Sequence, residues 1–433
     1  MSRKKPTVVI ITAHDIGRHL GCYGIHEVDT PHIDGIAATG VRFTNFYSTS
    51  PQCSPSRASF ATGRYPHSTG VLGICNRSFG FDLNRDESHL AGLLKTAGYR
   101  THGIGEVHET LDPQRLFDNY SSETDPERIV DETAAILRES RSDGGPLYLQ
   151  IGFRQAHRPF ENGSDTSNGV FLPPWLETEE SAVEELSRFQ GSIKALDNAV
   201  GDLLKEIRVS GDPDNTCVLF LGDHGIPFPR AKHSLYEPGC TIAAILRWPA
   251  NGWSAGTDVD VLASGVDILP TLMSALELAI PENVQGHDLC ESIMGVPTNR
   301  RKLVFTEQNF HAYLDCSRAV RNERYKIIAN FSPGKGYYDP SQSWRPSTRV
   351  ALGSDRGAPY HPPLELYDLE KDPLERKNLS DRREYERVKK ELSKALMTWM
   401  NETGDPILNG IPNPPIYSRA FEELSVSYEG SNR

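Results

Sequence analysis

The 433-residue chain has no apolar run longer than the strand-sized Thr7–Ala13, so the roughly 20 residues that a membrane helix requires are missing. Its seven cysteines, Cys22, Cys53, Cys75, Cys217, Cys240, Cys290 and Cys316, are odd in number and never closely paired. That excludes a disulfide framework and a thiolate zinc site. An excess of positive charge is lacking too. Lys and Arg number 46 against 58 Asp and Glu, a net −12, which argues against nucleic acid and anionic membrane as partners. The opening Met-Ser-Arg-Lys-Lys runs into a first strand with neither a signal h-region nor a cleavage site, which predicts a reducing, cytoplasmic location. What is present, 37% hydrophobic and 24% charged residues, suffices for a large core and is too apolar for a disordered chain.

Strand-like runs at Thr7–Ala13, Tyr99–Gly105, Leu147–Phe153 and Thr216–Leu221 alternate with helix-patterned segments at Ser88–Ala97, Pro126–Glu139 and Glu179–Ile207. The alternation predicts an α/β domain over residues 1–300 with a large, mostly parallel sheet flanked by helices. Beyond residue 300 the texture changes. Short strands at Lys302–Glu307, Arg318–Arg321 and Tyr325–Phe331, a Pro/Gly/Ser-rich stretch at Ser332–Pro363 and a helix at Arg383–Asn401 predict a smaller α+β domain over 301–433. The rich stretch either covers the active site or connects elements, and Asn409–Arg433, with three prolines, reads as an arm or loose tail.

Ligands of parallel sheets collect at the carboxyl ends of strands. Each of the four runs ends in titratable residues: His14 and Asp15, Glu106 and His108, His157, and Asp223 with His224. The densest motif lies elsewhere, in Cys53-Ser54-Pro55-Ser56-Arg57 followed by Ala58-Ser59-Phe60-Ala61-Thr62-Gly63-Arg64. A cysteine opening a helix, with Arg57 one turn on, sits in positive potential that favours an anion beside it. The segment resembles the signature of type I sulfatases, in which this cysteine is oxidised to formylglycine by a separate generating enzyme. Thr30-Pro31-His32-Ile33-Asp34, Gly40-Val41-Arg42-Phe43, the Asp223-His224 pair, Lys232 with Leu235-Tyr236, and Glu365-Leu366-Tyr367-Asp368-Leu369 with Asp372-Pro373 extend the resemblance over most of the chain. Gly225-Ile226-Pro227-Phe228-Pro229 makes the chain most similar to the heparan N-sulfatases, or sulfamidases, within that family.

The resemblance implies an alkaline-phosphatase-like fold and a sulfatase that hydrolyses a sulfate ester or sulfamate on a saccharide, such as a sulfated glycosaminoglycan sugar. It implies metal ligands His14, Asp15, Asp223 and His224, with Ca²⁺ or Mn²⁺, or Zn²⁺, as the single ion. Arg57 would hold the nucleophile, Lys232 the sulfate oxygens, His108 would be the base that triggers sulfate elimination, and His157 would face the leaving atom as general acid or sulfate donor. A hydrated aldehyde at position 53 offers two hydroxyls, one to attack sulfur and one to expel sulfate. His311, with Gln308 and Tyr313, and Asn76, Arg77 and Asp82 either line a sugar pocket or are simply solvated, and Arg154 and Arg158 flank His157.

Two positions depart from the family pattern: His14 stands where an Asp is usual, and Glu106 where a Lys is usual, beside the sulfate. The two changes are expected to compensate, with Glu106 binding the His14 imidazole or the metal. Two other readings stay open. One is a phosphodiester or phosphonate monoester hydrolase of the same superfamily, and the other is a non-catalytic binder of sulfated glycans in which Cys53 stays a thiol.

Overall fold

Val9, Ile11 and Ala13 point to one face of strand β1 (Thr7–Ala13), Val8 and Ile10 to the other, and all are buried, so the strand needs cover on both sides. In the computed structural model, which describes residues 4–177, 180–296, 301–311, 313–334, 349–350 and 360–430, it lies inside an eight-stranded sheet. The other strands are β2 (Val41–Phe43), β3 (Arg100–Gly105), β4 (Asn119–Ser121), β5 (Leu147–Phe153), β6 (Thr216–Gly222), β7 (Ala244–Arg247) and β8 (Thr257–Val259), in spatial order β8-β2-β7-β6-β1-β5-β3-β4. Every pairing is parallel except those of β7 with β2 and β6, so the mostly parallel sheet expected from the alternation is observed.

Helix α1 (Cys53–Thr62) is buried along its whole length and stops at Gly63, whose φ of 68° suits a left-handed cap. On the face of Val9 and Ile11, α2 (Pro126–Asp143) and α3 (Glu180–Ser210) contribute Ile129, Leu137, Phe189 and Leu203. Helix α2 starts where the Asp125 carboxylate accepts from the Glu127 and Arg128 amides, and ends at Gly144. The opposite face is covered by a second cluster that includes Leu90, Leu94, Leu269 and Leu272. The helix expected at Ser88–Ala97 runs over Leu90–Thr96.

The smaller region is an antiparallel sheet, β9 (Val304–Phe310), β10 (Leu314–Arg321), β11 (Tyr325–Asn330) and β12 (Leu364–Asp368), in that order. Helix α4 (Glu386–Glu402) lies on it through Leu392, Leu396, Trp399 and Met400. Tyr65 and Val266 of the larger region join that same core. Of the two readings of Asn409–Arg433, an arm or a loose tail, the structure shows an arm: Pro415–Gly430 forms helix α5, held by Arg419 donating to the carbonyls of Arg77 and Ser78. Its prolines fall in the approach and first turn, where they do not interrupt helical hydrogen bonds. Most of Ser332–Pro363, and with it the question of cover over the site, lies outside the described residues. Among the described residues no helix is long and apolar enough to cross a membrane.

Candidate active site

The ends of β1, β3, β5 and β6 and the start of α1 converge on one point, as parallel topology favours. Asp15 follows β1 with φ 57°, a left-handed conformation that a non-glycine residue holds only at a cost. Its amide donates to Asp223 Oδ1 at 2.9 Å, and the His224 amide donates to the same atom at 2.9 Å. Arg57 is committed on all sides. Its Nε and Nη2 donate to Asp223 Oδ2 at 3.2 and 3.1 Å, and Nη1 donates to Thr12 Oγ1 at 3.1 Å and the Glu106 carbonyl at 2.8 Å. Ser56 Oγ donates to the Asp223 carbonyl at 2.6 Å, which ties α1 to the end of β6. Thr12 and Ser56 escaped the sequence reading, although Ser56 lies inside the cysteine motif.

His14, Asp15, Cys53, Asp223 and His224 bring donor atoms within 4.8 Å of one another, all buried. His224 Nδ1 donates to the Gly225 carbonyl at 3.0 Å, and Nε2 faces Cys53 Sγ at 3.2 Å and Asp15 Oδ1 at 3.1 Å. That is the orientation a metal-ligating imidazole takes when its other nitrogen is held by a carbonyl. Burial alone would lower the His224 pKa, yet Asp223, Cys53 and Asp15 push it up to about 10. His14 is likewise raised, because Asp223, Cys53, Glu106 and Asp15 outweigh its burial. Burial opposes ionisation of Cys53, but Lys232, His14 and His224 hold its thiol well below the ordinary value. A site that draws protons onto imidazoles in this way is short of positive charge, and two carboxylates with an imidazole lone pair fit a divalent cation.

Lys232, expected at the sulfate, is buried with Nζ 3.0 and 2.9 Å from the two oxygens of Asp15. His157 packs edge-on against His14, ring centroids 4.8 Å apart. Its Nδ1 donates to the Arg158 carbonyl, so Nε2 presents a lone pair, and burial together with Lys232 lowers its pKa to about 4. The neutral ring therefore accepts a proton before it can donate one. Beside it opens a cavity of about 430 Å³ lined by Arg154, Thr124, Asn162 and Ser192.

Glu106 stands between two imidazoles, with Oε1 3.6 Å from His14 Nε2 and 3.7 Å from His108 Nδ1. Burial would raise its carboxyl, but His14, His108 and Arg57 hold it below the usual range. His108 also helps to hold the Cys53 thiol down. Thus Cys53, Arg57, Glu106, His108, His157, Lys232 and the four expected ligands share one site. His311 packs edge-on against His233, the neighbour of Lys232, ring centroids 5.4 Å apart. Arg158 is buried against Glu185 and the Pro227 carbonyl, while Asp82 holds the Thr110 hydroxyl and the Leu111 amide. Gln308 donates to Asp315 at 2.7 Å. Gln52 and His233 were also missed: they hydrogen bond at 2.8 Å and clamp the segments that carry Cys53 and Lys232.

A protein-family model described as sulfatase matches residues 6–278. An ulvan-active sulfatase of Formosa agariphila is 27% identical, with 93% of this chain and 76% of the relative covered. Human N-sulphoglucosamine sulphohydrolase is 25% identical over 94% of this chain and 92% of its own. A solved structure in complex with its substrate, D-glucosamine-2-N,6-O-disulfate, superposes with a TM-score of 0.75 at 19% identity, covering 93% of this chain and 99% of the other, and establishes a shared fold.

Proposed function

The chain belongs to the sulfatase family, and from that premise we propose that it removes sulfate from a saccharide ester or sulfamate through a formylglycine made from Cys53 by a separate generating enzyme. Hydrolysis of a sulfuric ester or sulfamate is the activity its relatives carry. The observation that supports the mechanism best is the placing of Cys53 Sγ at a buried helix start, 3.2 Å from His224 Nε2 and ringed by Asp15 and Asp223.

A hydrated formylglycine would supply an activated hydroxyl, and a divalent cation held by Asp15, Asp223 and His224, with His14 beside them, would supply charge for the sulfate oxygens. The chain's own residues do the rest. Arg57 sets the direction of the Asp223 carboxylate by its two-pronged contact. Lys232 neutralises Asp15 and places its ammonium beside residue 53. His157 Nε2 is built to take a proton, and can return it to the leaving oxygen or nitrogen once it holds one. His108 stands in the same cluster, its Nδ1 3.7 Å from Glu106 Oε1. The cavity beside His157, with Arg154 at its wall, is where the sugar would lie, and an N-sulfated glucosamine is the substrate we favour.

The test is intact-peptide mass spectrometry across Cys53 on protein co-produced with a formylglycine-generating enzyme. A loss of about 18 Da is expected, together with turnover of N-sulfoglucosamine above aryl sulfate and phosphonate monoester. An unmodified thiol in a competent host, or faster phosphonate cleavage, would overturn the reading.

A further inference from the structure

His14 Nδ1 lies 2.9 Å from Asp15 Oδ1 and 3.3 Å from Asp223 Oδ2, both acceptors, so that nitrogen is engaged as a donor and Nε2 is the one placed for an ion. Nε2 is turned to Glu106 Oε1, which is also an acceptor, and His108 Nδ1 stands on the other side of that oxygen. Glu106 Oε2 and His108 Nδ1 are buried atoms without a hydrogen-bond partner. Such atoms lose hydration without compensation.

The spacing carries its own information. Separations of 3.6 and 3.7 Å are too long for hydrogen bonds. Donor atoms about 2.1 Å from a tetrahedral ion, however, lie roughly 3.4 Å from one another. One donor atom each from His14, Glu106 and His108 lie together within 4.8 Å, in a group distinct from the buried one around Asp223. Glu106 and His108 are each 24% exposed in their side chains, which leaves an ion a way in.

The segment that carries the two outer donors is held at both ends. Gly105 has φ 79°, and a Cβ there would lie 2.2 Å from the Gly152 carbonyl oxygen, so the chain turns tightly at this point. The Glu106 amide donates to that carbonyl at 2.8 Å, and its own carbonyl takes Arg57 Nη1 at 2.8 Å. One residue past His108, Glu109 accepts from Gln150 at 2.6 Å and faces His89 Nε2 at 3.3 Å. Donors fixed in this way before an ion arrives are a property of built metal sites.

We propose that His14 Nε2, Glu106 and His108 Nδ1 form a second divalent-cation site beside the Asp15–Asp223–His224 group, taking a nitrogen- and oxygen-binding ion such as Mn²⁺ or Zn²⁺. In this arrangement His14 links the two sites, with its Nδ1 hydrogen on the carboxylates of the first and its lone pair on the ion of the second. The ion answers the difficulty that Glu106 poses. A carboxylate beside the reacting position repels an anionic substrate, and a cation bound to it turns repulsion into attraction. The geometry stands without any assumption about chemistry, while that role rests on the sulfatase reading. Proton acceptance then falls to His157, whose tautomer already suits it.

The full-length protein, stripped with a chelator and dialysed, would be titrated with Mn²⁺, bound metal counted by mass spectrometry and the ions examined by electron paramagnetic resonance. Wild type is expected to bind two ions per chain with a spin-coupled spectrum. Glu106→Gln should bind one, uncoupled, and Asp223→Asn should lose the first site instead. His108→Gln repeats the Glu106 test should that variant misfold. A single ion in wild type, with Glu106→Gln unchanged, overturns the second site. The occupant between His14 and Glu106 is then a proton, and undiminished turnover of the sulfated sugar would leave the sulfatase reading standing. Failure of all Mn²⁺ binding overturns the second site and the first together.

Discussion

At the scale of the residue, the site is governed by which atom faces which. Arg57 and Lys232 are cations that an anionic substrate would attract, yet in the structure they are bound to Asp223 and Asp15. Their first effect is on those carboxylates, and only through them on the substrate. His14 and Glu106 are a pair of the same sort, 3.6 Å apart. Single substitutions His14→Asp and Glu106→Lys should each reduce kcat/KM, and the double variant should lose less than the sum. A coupling of about 1–3 kcal/mol is expected for residues in contact. A double-mutant cycle on the sulfated sugar measures it, and additive losses would separate the two residues.

At the scale of the element, buried polar contacts join pieces that hydrophobic packing alone would leave loosely oriented. Arg318 of β10 and Asp405, just beyond α4, are fully buried and bonded at 2.5 and 2.8 Å. Asp405→Ala leaves the guanidinium without its carboxylate and should cost about 3–5 kcal/mol in chemical unfolding, with little change in kcat because neither residue touches the reacting cluster. His19, between Phe171 and Phe189 of α3, is a second case. Burial lowers its pKa to about 3. Below pH 6.5 the unfolded chain therefore takes a proton that the folded chain refuses, and stability falls as pH falls from 6.5 toward 3. His19→Phe should remove that loss, gaining roughly 2 kcal/mol at pH 5 relative to its effect at pH 7.5, as read from urea unfolding at the two pH values.

At the scale of the whole molecule, the cation sites couple ligand binding to folding, because their donors come from β1, α1, β3 and β6 and meet only when the sheet is assembled. An ion that binds the folded state at a hundred times its Kd adds about 2.7 kcal/mol of stability. For a chain of this length that corresponds to a rise in Tm of about 3 °C per site. Scanning calorimetry with Mn²⁺ and then with excess chelator should show the rise and its reversal, and a Tm indifferent to both would argue that the donors are held by protons instead. The net charge of −12 acts at the same scale: it keeps the molecule soluble and sets a field against anions, which the local cations must overcome.

Periodicity and local chemistry were enough to locate β1, β3, β5 and β6, and to foresee that their ends would carry His14, Asp15, Glu106, His108, His157, Asp223 and His224. Both signals are short-ranged: alternate apolar residues mark a doubly buried strand, and the parallel sheet brings strand ends together. The cysteine motif was equally legible, because a cysteine, a proline in the first turn and an arginine one turn on are all set within a single helix. The tertiary structure decided how those groups are used. That Arg57 serves Asp223, that Lys232 serves Asp15, and that His157 holds its hydrogen on the Arg158 carbonyl depend on contacts between residues far apart in the chain or on ring orientation. The same holds for Arg158, which the sequence placed beside the site and the fold buried against Glu185, and for His311, which packs on His233. Sequence spacing determines which groups arrive at a strand end; the packing around them determines which nitrogen bears a hydrogen and which oxygen is left for an ion.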